Sequence, residues 1–185
     1  RLTQTDALGR VTLWEYDALG RNITTTVNFT TASPAPTVTD LNLRTVVAYD
    51  ALSRQVSVRD PRTYLTLYGY DGVGRRTSTE LPSGAESTVV YDGAGRVWTE
   101  TAADGGTTTT TYDAAGRVDT VTDPVGAVTD DDYDPVTGLL VQVTDPMSRV
   151  TSYTYNAIGE LVGTTYADSS STSTSYGPLG RVEST

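Results

Sequence analysis

The chain has 185 residues, 13 basic and 23 acidic, for a formal charge of −10; every basic residue is Arg, and Lys, His and Cys are absent. Those absences remove the imidazole base of a Ser or Cys triad, the Ser-Lys dyad, thiol nucleophiles, Schiff bases and His or Cys metal sites, leaving only carboxylates and hydroxyls for chemistry. An acidic surface without Lys also argues against nucleic acid, which needs a basic stripe, and no apolar run approaches the ~20 residues of a membrane span.

Leu, Ile, Val and Phe supply 38 of the 185 residues, close to the ~20% line below which a charged chain stays disordered. Periodicity removes the doubt. In chain order the turn signals begin with Asp6-Ala7-Leu8-Gly9 and Tyr16-Asp17-Ala18-Leu19-Gly20-Arg21. Tyr49-Asp50-Ala51-Leu52-Ser53-Arg54, Asp60-Pro61, Tyr70-Asp71-Gly72-Val73-Gly74-Arg75 and Leu81-Pro82-Ser83-Gly84 come next. Then follow Tyr91-Asp92-Gly93-Ala94-Gly95-Arg96, Tyr112-Asp113-Ala114-Ala115-Gly116-Arg117 and Asp123-Pro124-Val125-Gly126. The last are Tyr133-Asp134-Pro135-Val136-Thr137-Gly138, Asp145-Pro146-Met147-Ser148, Tyr155-Asn156-Ala157-Ile158-Gly159-Glu160 and Tyr176-Gly177-Pro178-Leu179-Gly180-Arg181.

The tyrosines that open these units are spaced by 33, 21, 21, 21, 21, 22 and 21 residues. In Asp-x-x-Gly the Asp side chain bonds the backbone of a type I turn, and Gly takes the left-handed conformation that closes a short hairpin loop. Positive φ is therefore predicted at Gly20, Gly74, Gly95 and Gly116. Turns 10 or 11 residues apart, as from Asp113 to Asp123 to Asp134, leave strands of about seven residues and no room for helices.

Parity assigns columns, because alternate side chains of a strand share a face. Four residues before each Tyr stand Thr12, Thr45, Thr66, Ser87, Thr108, Thr129, Thr151 and Thr172; two before stand Trp14, Val47, Tyr68, Val89, Thr110, Asp131, Tyr153 and Thr174. Three after stand Leu19, Leu52, Val73, Ala94, Ala115, Val136, Ile158 and Leu179, read as an apolar anchor inside the turn. Stacked repeats would place like residues as cross-strand neighbours. The expected fold is all-β: an antiparallel strip of about sixteen strands, one hairpin per ~21 residues, in a single array over 1–185. A strip that wide curls into part of a hollow shell or tube rather than staying flat. Its end strands, near residues 1–13 and 179–185, are expected to pair with further protein.

The Tyr-Asp-x-x-Gly-Arg unit, followed about ten residues later by Asp-Pro-x-Gly and then Thr, resembles the YD-repeat or Rhs (rearrangement hot spot) family across nearly the whole chain. The resemblance implies a wall segment of a β-shell like those that surround a C-terminal cargo in bacterial Rhs and insecticidal Tc toxins, or the extracellular shells of teneurins. It implies a secreted or cell-surface bacterial protein whose partners are further YD repeats of the same or neighbouring chains, an enclosed polypeptide cargo or a surface carbohydrate. The chain departs from the pattern at 27–38, an inserted stretch with Pro34 and Pro36, read as a loop on one rim. The end region in which toxin members carry a self-cleaving aspartyl protease is absent, and no protease role is carried over.

Asp130, Asp132 and Asp134 alternate in an acidic run and are the candidate Ca²⁺ ligands. Pro135 stands where such a loop needs Gly and Val141 where it needs the bidentate Glu, so a solvated acidic strand end is the stronger reading. Trp14, Trp98 and the tyrosines form either an aromatic strip for sugars or, more simply, structural columns with each hydroxyl on a partner. Each Arg after Gly is expected to pair with a neighbouring repeat's Asp. Asn22-Ile23-Thr24 and Asn28-Phe29-Thr30 match the glycosylation acceptor pattern, which a Thr-rich chain also produces by chance. No cofactor is implied. The leading function is structural, a wall that encloses or displays cargo without catalysis; the alternative is an adhesive or carbohydrate-binding surface.

Overall fold

A computed structural model describes residues 1–30, 41–177 and 180–184. Among them the regular structure is β throughout. The strands are β1 (Leu2–Thr5), β2 (Val11–Tyr16), β3 (Asn22–Val27), β4 (Leu43–Tyr49), β5 (Gln55–Arg59) and β6 (Leu65–Tyr70). There follow β7 (Arg76–Glu80), β8 (Glu86–Tyr91), β9 (Val97–Thr101), β10 (Thr107–Tyr112), β11 (Val118–Thr122) and β12 (Val128–Tyr133). The remainder are β13 (Leu140–Thr144), β14 (Val150–Tyr155), β15 (Leu161–Thr165), β16 (Ser171–Ser173), β17 (Ser175–Tyr176) and β18 (Val182–Ser184). The first sixteen form one antiparallel sheet in strict sequence order, and β17 and β18 pair separately. This is the expected meander, with somewhat shorter strands because Tyr-side bulges and three-residue loops take up residues.

The chain divides into two compact units, Arg1–Val89 with Ala102–Gly105, and Val90–Thr101 with Gly106–Thr185. In the first, the only described residues that are buried are Leu13, Thr24 and Thr26. The second has none among its described residues. A single layer of sheet has no opposing layer to cover it, so most strand residues are half-buried by their neighbours within the sheet.

Every hairpin loop expected from Asp-x-x-Gly closes as predicted, with Gly20, Gly74, Gly95 and Gly116 at φ 77°, 94°, 86° and 87°. Two further loops, Ala102–Gly105 and Tyr166–Ser169, have the same closure, from Gly105 N–H to the Ala102 carbonyl and from Ser169 N–H to the Tyr166 carbonyl, both 2.9 Å. They lack an opening Asp, which is why the sequence pattern passed over them. Alternate loops of a meander lie on opposite rims: within each unit the Tyr-Asp loops share one rim, and the Asp-Pro loops with these two share the other.

The columns differ from expectation. Val47 pairs with Val58 and Val58 with Thr66, so Val47 aligns with the hydroxyl position of the next repeat and not with its equivalent, Tyr68. In the second unit Thr110 aligns through Val121 with Thr129, Asp131 through Val143 with Thr151, and Tyr153 through Thr164 with Thr172. Each hairpin is thus staggered by two residues, roughly 7 Å along the strand, relative to the one before. Bulky and hydroxyl positions interleave where like-on-like columns were expected. The Tyr-Asp hairpins at Tyr16, Tyr49, Tyr70, Tyr112, Tyr133, Tyr155 and Tyr176 also contain a β-bulge, as where Ala48 pairs with Ser57 but Tyr49 with Gln55, leaving Val56 as the extra residue. The Asp-Pro hairpins, such as Arg59 opposite Leu65, pair without one.

The inserted stretch 27–38 lies largely outside the described residues. Its base is defined: Asn28 and Asn42 both have φ 53°, and the Asn42 N–H donates to the Asn28 carbonyl at 3.0 Å.

Candidate functional site

The recurrent feature of the molecule is the row of Tyr-Asp loops. In each regular copy one Asp oxygen accepts two backbone N–H groups and the other accepts the guanidinium. Asp17 Oδ1 takes Leu19 N–H and Arg21 N–H at 2.9 Å, and Oδ2 takes Arg21 Nε at 2.6 Å. Asp50 with Arg54, Asp71 with Arg75, Asp92 with Arg96 and Asp113 with Arg117 repeat the arrangement. The expectation that each Arg pairs with a neighbouring repeat's Asp is therefore corrected: the partner is the Asp four residues earlier in its own loop. The loop brings them together because Asp and Arg begin and end one turn, and the pair closes it like a clasp.

These bonds hold the carboxyls below their ordinary range. For Asp17, Asp50 and Asp92 the largest cause is the N–H of the Arg four residues on; partial burial acts upward, and the guanidinium adds to the downward side. For Asp71 and Asp113 burial is the largest single influence and raises the value, but the combined bonds from Arg75 and Arg117 outweigh it.

What reaches the next repeat is the remainder of the guanidinium. Arg21 Nη1 donates to the Asp50 carbonyl at 3.0 Å and to Ser53 Oγ at 3.1 Å, and Arg54 Nη1 to the Asp71 carbonyl at 3.2 Å. The same guanidinium groups lie over the next tyrosine: Arg21 over Tyr49 at 4.9 Å, Arg54 over Tyr70 at 4.7 Å, Arg96 over Tyr112 at 4.1 Å and Arg117 over Tyr133 at 4.2 Å from the ring centre. Three of these tyrosine hydroxyls in turn donate back to the carbonyl that follows the previous Arg: Tyr49 to Asn22 (2.9 Å), Tyr70 to Gln55 (2.7 Å) and Tyr112 to Val97 (2.7 Å). The stagger makes this possible. Extending the ladder in which Ser57 meets Leu67 brings Gln55 opposite Gly69 and Arg54 opposite Tyr70. Cation–π contact of this kind contributes roughly 0.5–1 kcal/mol at a half-exposed site.

Later copies deviate. After Tyr133 the loop has one extra residue, Thr137 N–H and Oγ1 bond Asp134 Oδ1 at 2.6 and 2.9 Å, and Leu139 stands where Arg is elsewhere. In the next copy a neutral Asn stands for Asp and an anionic Glu for Arg: Asn156 Oδ1 accepts the Ile158 and Glu160 N–H groups, and its Nδ2 donates to Glu160 Oε2 at 2.7 Å. The tyrosine bonds continue regardless, Tyr155 to the Leu140 carbonyl at 2.8 Å and Tyr176 to Leu161 at 2.9 Å. In the last copy Gly177 replaces Asp, and the Gly177 N–H bonds the Arg181 carbonyl at 2.8 Å while Gly180 keeps positive φ.

Asp130, Asp132 and Asp134 do not converge: among the described residues no three acidic side chains are grouped so as to hold a cation. Asp132 accepts Gln142 Nε2 at 3.2 Å, and Asp134 belongs to its turn. Asp131 is raised from its ordinary value by burial first and then by Asp130 and Asp132. The apolar residues three after Tyr are also not anchors; Leu19, Leu52, Val73, Val136 and Ile158 project into solvent, because the third loop residue of such a turn points off the sheet end. Leu179 lies outside the described residues. The Asn22 side chain is engaged, its amide donating to Glu15 and Thr24 carbonyls at 3.4 and 3.2 Å.

A family model described as RHS Repeat matches residues 1–30, 49–86, 91–128 and 133–171. None of the curated proteins matches the chain. Among solved structures, the complex of TcdB2, TccC3 and Cdc42 is similar over 98% of this chain at 14% identity and TM-score 0.61. The Photorhabdus luminescens Tc holotoxin pore is similar over 94% at 15% identity and TM-score 0.64, and the TcdB2–TccC3 structure over 84% at 17% identity and TM-score 0.59. This chain spans 12%, 11% and 9% of the lengths of those chains, and at such identity the likeness concerns the fold. Three of the matched segments begin at the tyrosine of a Tyr-Asp loop, Tyr49, Tyr91 and Tyr133, and the four together exceed half the chain, so the chain belongs to the RHS repeat family.

Proposed function

We propose that the chain is a single array of about eight YD repeats acting as a wall segment of an Rhs-type β-shell, which encloses or displays a polypeptide cargo and performs no chemistry itself. The observation that carries this reading is the interlock of Arg, Tyr and carbonyl from one Tyr-Asp loop to the next, which ties successive hairpins together with almost no buried core among the described residues. A wall needs that property, since its two faces meet solvent or cargo instead of a second sheet layer. A constant stagger supports it further: closing or coiling a sheet requires strands inclined to the axis with a fixed shear. The absence of His, Lys and Cys supports the non-catalytic part. The proposed setting is a secreted or surface-exposed bacterial assembly whose other partners are further YD repeats, with 27–38 as an inserted rim loop.

The test is protease protection in the intact protein that contains this array. A polypeptide held inside resists digestion until acid or denaturant opens the wall; digestion at the rate of the same polypeptide free in solution overturns enclosure. One observation favours the alternative of a carbohydrate-binding surface: Tyr166 is exposed beside Asp145, Arg149 and Asp168 in a groove of about 340 Å³. Glycan binding that is lost in Tyr166→Ala decides for that alternative.

A further inference from the structure

We infer that the gap between the loops Asp60–Tyr64 and Leu81–Ala85 is a binding groove for an extended segment of a partner polypeptide that presents one arginine between aliphatic side chains. The inference goes beyond the wall reading and does not depend on enclosure of cargo.

The groove lies within the first unit and has a volume of about 520 Å³, with Thr63, Tyr64, Leu67, Glu80, Leu81 and Pro82 among its walls. Ligand sites commonly have volumes of this order. Tyr64, Leu67 and Leu81 are 56%, 38% and 41% exposed, so they make one apolar patch open to solvent and not a scatter of single residues. Two departures from the repeat create it. Tyr64 ends its loop where Arg10 and Arg149 end theirs, and Leu81 opens its loop where Asp6 and Asp145 open theirs. Asp60 receives the Arg62 and Tyr64 N–H groups at 2.8 and 2.9 Å, but Tyr64 brings it no guanidinium. The groove is also strained. Thr63 closes its loop at φ 72°, where Gly9 and Gly84 close sister loops, and among the described residues it alone is β-branched at positive φ. Such a residue is an outlier, and backbone strain of this kind is retained mostly at binding and catalytic sites.

Charge decides the polarity of the occupant. Glu80 stands opposite Leu67 on one side and opposite Glu86 on the other, so two carboxylates face each other across neighbouring strands beside the apolar wall. Like charges in that position destabilise a sheet, and neither Glu80 nor Glu86 has an ion pair among the described residues. The cations on the flanking elements are engaged elsewhere or lie on the loop: Arg59 Nη1 donates to the Thr63 carbonyl at 3.0 Å, Arg76 lies over Tyr68 at 4.4 Å, and Arg62 is exposed on the loop itself. A cation seated in the groove relieves the repulsion between the two glutamates.

The molecule itself shows which side chain fills such a gap. Between the Tyr-Asp loops of the same unit the corresponding space is closed by an arginine: Arg54 Nη1 donates to the Asp71 carbonyl at 3.2 Å and its guanidinium lies over Tyr70 at 4.7 Å. The open groove offers the same kinds of partner, the Tyr64 ring and the Glu80 carboxylate, without an arginine of its own. An arginine from a partner can lay its aliphatic stem along Leu67 and Leu81 while its planar head reaches carboxylate and ring together. Lysine, a compact and strongly hydrated charge, matches the pair of partners less well. Aliphatic neighbours on the same segment then cover the rest of the apolar patch.

The test is a titration of the full chain with the pentapeptide acetyl-Ala-Leu-Arg-Leu-Ala-amide, followed by backbone amide resonances in about 0.15 M salt, where distant charges are screened. The amides of Leu65, Leu67, Glu80 and Gly84 are expected to shift together and to saturate. The same peptide with citrulline for arginine, equal in shape but uncharged, is expected to bind at least about fivefold more weakly. Glu80→Gln is expected to bring the arginine peptide down to the citrulline value while unfolding no more readily than the original chain, since it removes one of two facing carboxylates. Equal affinity of the two peptides overturns the inference, as does an affinity that survives Glu80→Gln. Shifts spread over the acidic loops at Asp104 and Asp168 would show attraction to the overall charge and overturn it too. Shifts of the groove amides with protein concentration alone would seat a second copy there instead. None of these results bears on enclosure, which the protease-protection test decides separately.

Discussion

Within the second unit the loops Asp92–Arg96 and Asp113–Arg117 can be set against Asp134–Leu139 and Asn156–Glu160. The first pair has the carboxylate–guanidinium clasp and a guanidinium over the next tyrosine. The second pair lacks both, yet keeps the loop-closing backbone bonds, Gly138 N–H to Asp134 and Gly159 N–H to Asn156 at 2.9 and 3.0 Å. Turn formation therefore needs a positive φ at the residue that closes the loop, while a side-chain acceptor at the first position, the charged clasp and the stack strengthen the turn and the joint between repeats. Asn156 shows that the acceptor need not be ionised.

Acid breaks this comparison most strongly. The folded-state values of Asp17, Asp50, Asp92 and Asp113 lie below the ordinary one, so their stabilisation is complete above an unfolded value of ~3.9 and is lost as pH falls through the lower folded values. Stability measured by denaturant titration is expected to drop steeply below about pH 4. By hydrogen exchange, the Arg96 and Arg117 amides, which bond Asp92 and Asp113, should lose protection before the Glu160 amide, which bonds Asn156. Simultaneous loss at all three would show that the clasp does not control local opening.

Removing a ring comes next. Tyr112→Ala deletes a half-buried ring, its bond to the Val97 carbonyl and its contact with Arg96, and should cost about 3 kcal/mol. Tyr155→Ala loses the ring and the Leu140 bond without a guanidinium above it, and should cost about 1 kcal/mol less. The corresponding Phe variants lose one hydrogen bond each and should both cost about 1 kcal/mol. Thermal or urea unfolding of the four proteins checks this, and equal costs for the two Ala variants would remove any role for the stack.

Backbone strain sharpens the comparison at smaller scale. Gly116 has φ 87° and Arg96 Nη1 lies 3.2 Å from where a Cβ would be, whereas at Gly159, φ 85°, the nearest atom is Leu139 Cδ1 at 3.9 Å. Gly116→Ala should cost about 2 kcal/mol and Gly159→Ala about 1 kcal/mol, the difference being displacement of Arg96. Ser53 occupies the glycine position of its loop at φ 64°, so Ser53→Gly should relieve up to about 1 kcal/mol of strain, less the bond from Arg21. The smallest effect expected is a gain of at most about 0.5 kcal/mol from Leu139→Arg, which restores a guanidinium in a loop that is one residue too long. A shift in denaturation midpoint of the opposite sign in either of these last two would contradict the assigned turn geometry.

The loops were legible from sequence wherever an Asp opens them, because every bond that makes such a turn lies within five residues of chain. Ala102–Gly105 and Tyr166–Ser169 were not legible, since they form through backbone bonds with other residues in the first position. The Arg partner was misread for a related reason. Repetition suggests links between copies, but the short reach from Asp92 to Arg96 within one loop satisfies the charge before any neighbour can. The acidic run Asp130–Asp134 looked like a ligand set because spacing was visible, whereas convergence depends on where a strand ends and its turn begins.

An all-β meander of hairpins, its turn positions and its positive-φ glycines were determined by the sequence alone, since local chemistry at Asp-x-x-Gly leaves the chain one economical conformation and the ~21-residue spacing leaves room for nothing but strands. The two-residue stagger, the Tyr-side bulges and the resulting contact of Arg54 with Tyr70 were decided only in the tertiary structure. Register is a property of pairs of strands, and a period of like residues is compatible with several registers until the bulges and loops of both rims are satisfied at once. That one choice moves Tyr49, Tyr70, Tyr112 and Tyr133 under the arginine of the hairpin before each, which is why a chain with almost no core among its described residues is held together by its loops.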